Sequence, residues 1–128
     1  MQLSFSTLAC PEYSFSDMYA MATDLGFDGI EVRGLGREIF DNKRNMPFAK
    51  ENVSETARML SDLGLEISCF SSDCCLRYPE LFEENVRIIT EYINAARALG
   101  TKFVRVLGDD GPEAVDGGND EEVIRQLK

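Results

Sequence analysis

Hydrophobic positions along this chain change their spacing again and again, from short apolar runs to a three-to-four residue rhythm and back. Runs at Leu3–Leu8, Asp28–Arg33, Glu66–Ser71 and Lys102–Leu107 predict strands. Between them the spacing is helical. Phe15, Met18, Ala22 and Leu25 fall on one helical face, as do Ala57, Leu60 and Leu63. Phe82, Val86, Ile89, Ile93 and Ala96 form the clearest stripe. A fourth helix is expected to begin within Asn119 to Lys128.

Start and stop signals frame these segments. Ser14 with Asp17 makes a variant capping box, Asn52 with Glu55 offers a second cap, and Pro79 suits a first helical turn. Each helix is predicted to stop at the same two letters. Leu25-Gly26, Leu63-Gly64 and Leu99-Gly100 each precede a strand, recurring roughly every 37 residues. A glycine just past a helix takes the left-handed conformation that ends it, and the leucine before it is expected to pack the helix end onto a sheet.

Strand and helix in alternation imply a parallel sheet with right-handed crossovers. A doubly wound sandwich would need central strands apolar on both faces. The second strand instead puts Ile30 and Val32 on one face and Glu31 and Arg33 on the other. The fourth repeats the split, with Val104 and Val106 against Phe103, Arg105 and Leu107. Such strands suit a barrel segment, aliphatic toward the helices and mixed toward the interior. The expected fold is therefore α/β, parallel (βα) repeats forming the N-terminal half of a TIM (β/α)8 barrel, with residues 1–128 as one domain. A whole barrel takes about 250 residues.

Composition narrows the function. With 44% hydrophobic and 28% charged residues the chain is expected to fold, and 13 Lys+Arg against 23 Asp+Glu leave it at −10. That charge argues against nucleic acid, and the best basic run, Arg37 to Arg44, is broken by Glu38 and Asp41. No signal peptide or membrane-length apolar run is visible, so a cytoplasmic location and no membrane partner are expected. Cys10, Cys69, Cys74 and Cys75 lack zinc spacing and are read as structural thiols. Asn52-Val53-Ser54 is a glycosylation sequon that matters only after secretion. The acidic run from Gly108 to Glu122 does not fit an EF-hand, and reads as a loop over the barrel mouth ending in an Asn119 to Glu122 capping box.

The stretches "YSFSDMYAMATDLGFDGIEVRG" and "ARALGTKFVRVLGDDG" resemble the N-terminal half of the xylose isomerase-like TIM barrels, the sugar phosphate isomerase/epimerase superfamily. The resemblance spans essentially the whole chain and points to no particular substrate. It implies a parent enzyme in which a divalent metal (Mn, Mg, Co or Zn) polarises the oxygens of a sugar or sugar phosphate while carboxylates move a proton. In the isomerases of that superfamily the ligands are two Glu, one Asp and one His from strands five to eight. This chain contains no histidine, so no metal ligand or catalytic residue is carried over, and no metal is expected on this chain alone.

What the resemblance does carry over is a substrate-facing lining. Glu31 matches the second-strand glutamate, and Arg33 and Arg105 stand at strand ends where they could hold hydroxyls or a phosphate. The alternative is a barrel-filling ion network among the three. Ser71, Ser72 and Asp73 are expected on a loop after the third strand, in contact with substrate hydroxyls or simply capping the next helix. Phe5, Phe70 and Phe103 are candidate walls for a sugar ring, or plain core. The leading functional expectation is part of a metal-dependent isomerase/epimerase, inactive alone. Alternatives are a non-catalytic half-barrel binding or oligomerisation module, expected to dimerise through its open edges, a dehydratase of the same superfamily, or an endonuclease IV-type nuclease, from which this acidic, His-free chain departs.

Overall fold

The computed structural model describes residues 1–33, 46–108 and 120–127. Strands β1 (Ser4–Ser6), β2 (Gly29–Arg33), β3 (Glu66–Cys75) and β4 (Val104–Leu107) alternate with helices α1 (Phe15–Leu25), α2 (Val53–Leu63), α3 (Phe82–Leu99) and α4 (Asp120–Gln126). The sheet is entirely parallel in the order β1-β2-β3-β4, the half-barrel expected. The predicted Arg37 to Arg44 run and most of the acidic run, with its Asn119 cap, lie outside the described residues.

The repeated Leu-Gly phrase is one corner built three times. Gly26, Gly64 and Gly100 sit at φ of 72°, 68° and 72°. At each, the next residue donates its N–H five residues back: Phe27 to Ala22 at 2.9 Å, Leu65 to Leu60 at 2.9 Å and Thr101 to Ala96 at 2.8 Å. This is the hydrogen-bond pattern of a Schellman motif, closing the helix and turning the chain toward the sheet. Only one of the leucines behaves as expected. Leu99 packs against the core, whereas Leu25 and Leu63 are exposed, so the first two helix ends are fixed by backbone bonds rather than by leucine packing.

The Ser14–Asp17 capping box forms, with the Asp17 N–H on Ser14 Oγ at 3.2 Å and the Ser14 N–H on the Asp17 carboxylate at 3.1 Å. The Ser14 hydroxyl, donating to the Asp17 carboxylate at 2.6 Å, and the Ser14 N–H hold the Asp17 carboxyl below its ordinary range. The second expected cap does not form, since Asn52 already has helical backbone angles and its side chain caps nothing. An N-cap needs an extended backbone to aim its side chain at the first turn.

The core lies between sheet and helices. Ile30, Val32, Ile67 and Phe70 from the strands meet Phe15, Met18, Ala22, Leu60, Ile88 and Tyr92 from the helices. An aromatic chain runs through it, from Phe15 to Phe48 to Phe70 to Tyr92, with ring centroids 4.8, 5.2 and 6.1 Å apart. Phe70 is thus core, and Phe5 packs on Phe27 at 5.2 Å, so neither lines the interior side. Phe103, 65% exposed, is the aromatic left on the sheet's open side.

The α3 stripe is corrected in part. Ile89 and Ala96 pack on the core as expected, but Phe82, Val86 and Ile93 are exposed, and Asn85, Ile88, Tyr92 and Ala95 are buried instead. Asn85 donates its side-chain amide to the Cys75 carbonyl at 2.8 Å, which turns a polar position inward. That carbonyl is there because β3 runs four residues further than expected, through Cys75, with register shifts against β2 and β4.

Candidate functional site

The open face of the sheet carries the polar residues. Register puts Glu31 of β2 between Ser6 of β1 and Cys69 of β3. One step toward the carboxyl ends, Arg33, Ser71 and Arg105 form a row across β2, β3 and β4. Neighbouring strands lie about 4.8 Å apart, so the two arginine backbones stand about 10 Å apart with a serine between them. Side chains of that length span such a gap to a shared anion.

Glu31 is held by a neighbour. Ser71 Oγ donates to Glu31 Oε1 at 2.6 Å, and Cys69 Sγ lies 3.9 Å from the same hydroxyl. The bond uses one lone pair of one carboxylate oxygen, leaving Oε2 to accept from something else. Among the described residues no ion pair joins Glu31 to Arg33 or Arg105; an ion pair of Arg87 with Glu91 at 3.3 Å lies on the outer surface of α3.

Both arginines are fixed by a hydroxyl on the adjacent strand or turn. Thr7, just past β1 and 1% exposed, donates to the Arg33 carbonyl at 2.5 Å and accepts the Arg33 N–H at 2.9 Å. Ser72 donates to the Arg105 carbonyl at 2.8 Å. Three buried hydroxyls, Thr7, Ser71 and Ser72, therefore anchor the two arginines of the row and its glutamate. A fourth, Ser6 Oγ, is buried beside Glu31 without a hydrogen-bond partner.

The residues after Phe70 are strand rather than loop. Ser71, Ser72 and Asp73 lie inside β3, which corrects the loop expected there. Ser72 is buried, and its hydroxyl is committed to Arg105. Asp73 is exposed in the stretch where the β3–β4 register shifts, and its charge reaches the Tyr92 phenol of α3. Thr7 went unnoticed in the sequence, where a threonine after a strand looks like any turn residue.

Among the described residues no three His, Cys, Asp or Glu side chains converge as metal ligands. Glu31 alone would give a cation one carboxylate, so these residues do not fit a complete metal site. No described helix is long and apolar enough to cross a membrane.

Polar strand-end residues on the concave face, aliphatic residues under the helices and four parallel βα units define half of a barrel. Residues 19–128 match the Xylose isomerase-like TIM barrel family, and the chain belongs to it. A similar solved structure is the probable 3-DHS dehydratase AsbF of Bacillus anthracis, involved in petrobactin synthesis, at 22% identity and TM-score 0.73. The match covers 99% of this chain and 46% of that one. A xylose isomerase-like TIM barrel/4-hydroxyphenylpyruvate dioxygenase fusion protein is similar at 19% identity and TM-score 0.68, over 99% of this chain and 19% of its own length. The chain thus spans less than half of either, and the likeness is one of fold. No curated protein matches the sequence.

Proposed function

We propose that this chain is the N-terminal, substrate-facing part of a divalent-metal-dependent barrel that isomerises or epimerises a sugar or sugar phosphate. The observation that carries this reading is the Arg33–Ser71–Arg105 row set beside a glutamate whose carboxylate is oriented by Ser71. In it Glu31 accepts a substrate hydroxyl through Oε2, and the two guanidiniums take an anionic group. Both contacts fix the substrate's orientation, which is how positioning residues lower a barrier. The metal ligands are assigned to strands beyond the described residues, so the chain alone is read as inactive.

A second reading, a dehydratase that uses the same lining, is favoured by the likeness in fold to the probable 3-DHS dehydratase AsbF.

The test is made on the endogenous protein, whose intact mass is measured first. A mass near 14.3 kDa with no turnover identifies a binding half-barrel and removes the enzyme reading. For a longer product, sugar phosphates and 3-DHS are assayed before and after exhaustive chelation. Metal-restorable turnover is expected, with Arg105→Ala raising KM more than it lowers kcat. Turnover that survives chelation overturns the proposal.

A further inference from the structure

Four hydroxyls stand around Glu31 and the two arginines, and three of them have given their proton to the protein. Thr7 donates to the Arg33 carbonyl, Ser71 to Glu31 and Ser72 to the Arg105 carbonyl. Ser6 has not. Its Oγ is shielded from solvent and, among the described residues, has no hydrogen-bond partner. Such a hydroxyl has lost the bonds that water gave it in the unfolded chain and gained none, so the free protein carries a donor that it does not use.

Ser6 is the register partner of Glu31 on the neighbouring strand. Phe5 before it packs against the core under the helices, which by alternation leaves Ser6 on the open face with Glu31. On the far side of β2, Ser71 Oγ holds Glu31 Oε1 at 2.6 Å. An unused donor on β1 and the free acceptor Oε2 on β2 therefore stand on strands about 4.8 Å apart. A hydroxyl is the substrate group that meets both, because it donates one proton and accepts another, whereas a carbonyl or a phosphate dianion only accepts. Ser6 is half-buried as a residue, and its side chain turns about one bond among three staggered positions, so a change of rotamer brings Oγ to the opening.

We infer that Ser6 is a substrate-contact residue, donating to the oxygen of the same substrate hydroxyl that donates to Glu31 Oε2. The inference rests on the proposed role of Glu31 and adds the orientation of the substrate. Arg33 lies two residues beyond Glu31 on β2, and Ser71 and Arg105 stand level with it across β3 and β4. The anionic end is thus held toward the carboxyl ends of the strands, and the paired hydroxyl lies deeper in the barrel. Ser6 gives up no bond within the protein to make this contact, so the bond it forms favours the bound state alone.

The experiment is calorimetric titration of the endogenous protein at its native length with glycerol 3-phosphate and with propyl phosphate, which share a carbon chain and a phosphate monoester and differ in their hydroxyls. Glycerol 3-phosphate is expected to bind more tightly. Ser6→Ala should weaken it roughly three- to tenfold, the worth of one hydrogen bond, and leave propyl phosphate unchanged. The urea midpoint of Ser6→Ala should equal or exceed that of the native protein, because the hydroxyl removed bonds to nothing in the free state. Glu31→Gln, whose amide still accepts from Ser71 but presents an NH2 in place of Oε2, should erase the preference between the probes, and Arg105→Ala should weaken both. Equal loss of the two probes in Ser6→Ala, or a lowered urea midpoint, makes Ser6 structural and overturns the inference. A Ser6→Ala variant that binds both as the native protein does also overturns it, while the reading of Glu31 stands if Glu31→Gln erases the preference. A preference that survives Glu31→Gln, or no binding of either probe at millimolar concentration, overturns the reading of Glu31 and this inference with it.

Discussion

Replacing Thr7 with valine isolates the anchoring of Arg33. The change swaps a hydroxyl for a methyl at nearly constant volume, at a site that is 1% exposed. It removes both bonds to Arg33, the one to its carbonyl and the one from its N–H. Each buried backbone group left without a partner costs roughly 1–3 kcal/mol. Arg33 is half-buried, so water recovers part of this, and the expected loss for Thr7→Val is about 2–3 kcal/mol. Set against the roughly 5–15 kcal/mol that holds a domain folded, that is a large share. Thr7→Ser keeps the hydroxyl and gives up one methyl, for about 1 kcal/mol. The assay is urea unfolding followed by far-ultraviolet circular dichroism, with the two variants compared at equal m-value. Equal midpoints for valine and serine would mean that the hydroxyl anchors nothing, and the account of how Arg33 is positioned would fail.

Alanine at Gly26, Gly64 or Gly100 would place its Cβ in open space, so each substitution should cost about 1 kcal/mol from the left-handed backbone alone, summing in the triple variant; unequal or non-additive urea midpoints would contradict a shared corner. Gly29→Ala differs, because its Cβ would lie 2.9 Å from the Glu66 carbonyl and from Ser4 Oγ, and overpacking of about 1–3 kcal/mol is expected in the same titration. Burial raises the Tyr19 and Tyr92 phenols, with Asp73 and Cys74 adding to the shift at Tyr92. A raised folded value means their contribution is complete below the unfolded value of about 10 and is lost as pH climbs past it. Ultraviolet titration should therefore show Tyr19 and Tyr92 ionising only together with loss of helical signal. Cys10, Cys74 and Cys75 are buried and Cys69 half-buried, so a thiol reagent on the folded protein should label Cys69 first; uniform labelling would contradict the placement of β3.

The corners were legible in the sequence because they are local. A glycine that ends a helix and a polar pair that starts one act within a few residues, and the strand order follows from alternation taken with the mixed faces of the second and fourth strands. The Glu31/Arg33 face was legible for the same reason, since a period of two needs no knowledge of neighbours. What stayed hidden depends on distant partners. The buried face of α3 is set by Asn85 reaching the Cys75 carbonyl and by Tyr92 packing on Phe70, whereas apolarity alone selected Phe82, Val86 and Ile93. Polar Ser72 and Asp73 concealed the extension of β3, and the tie from Ser72 to Arg105 crosses 33 positions of sequence. The anchoring role of Thr7 rests on a contact 26 positions away and leaves no trace in local composition.

The three glycine corners share one backbone geometry and touch nothing with the space where a side chain would be. Each works as a standard coupling whose fit is independent of what it joins. Side chains at the strand ends, where Glu31, Arg33, Ser71 and Arg105 lie, can therefore differ without disturbing the couplings that turn each helix toward its strand.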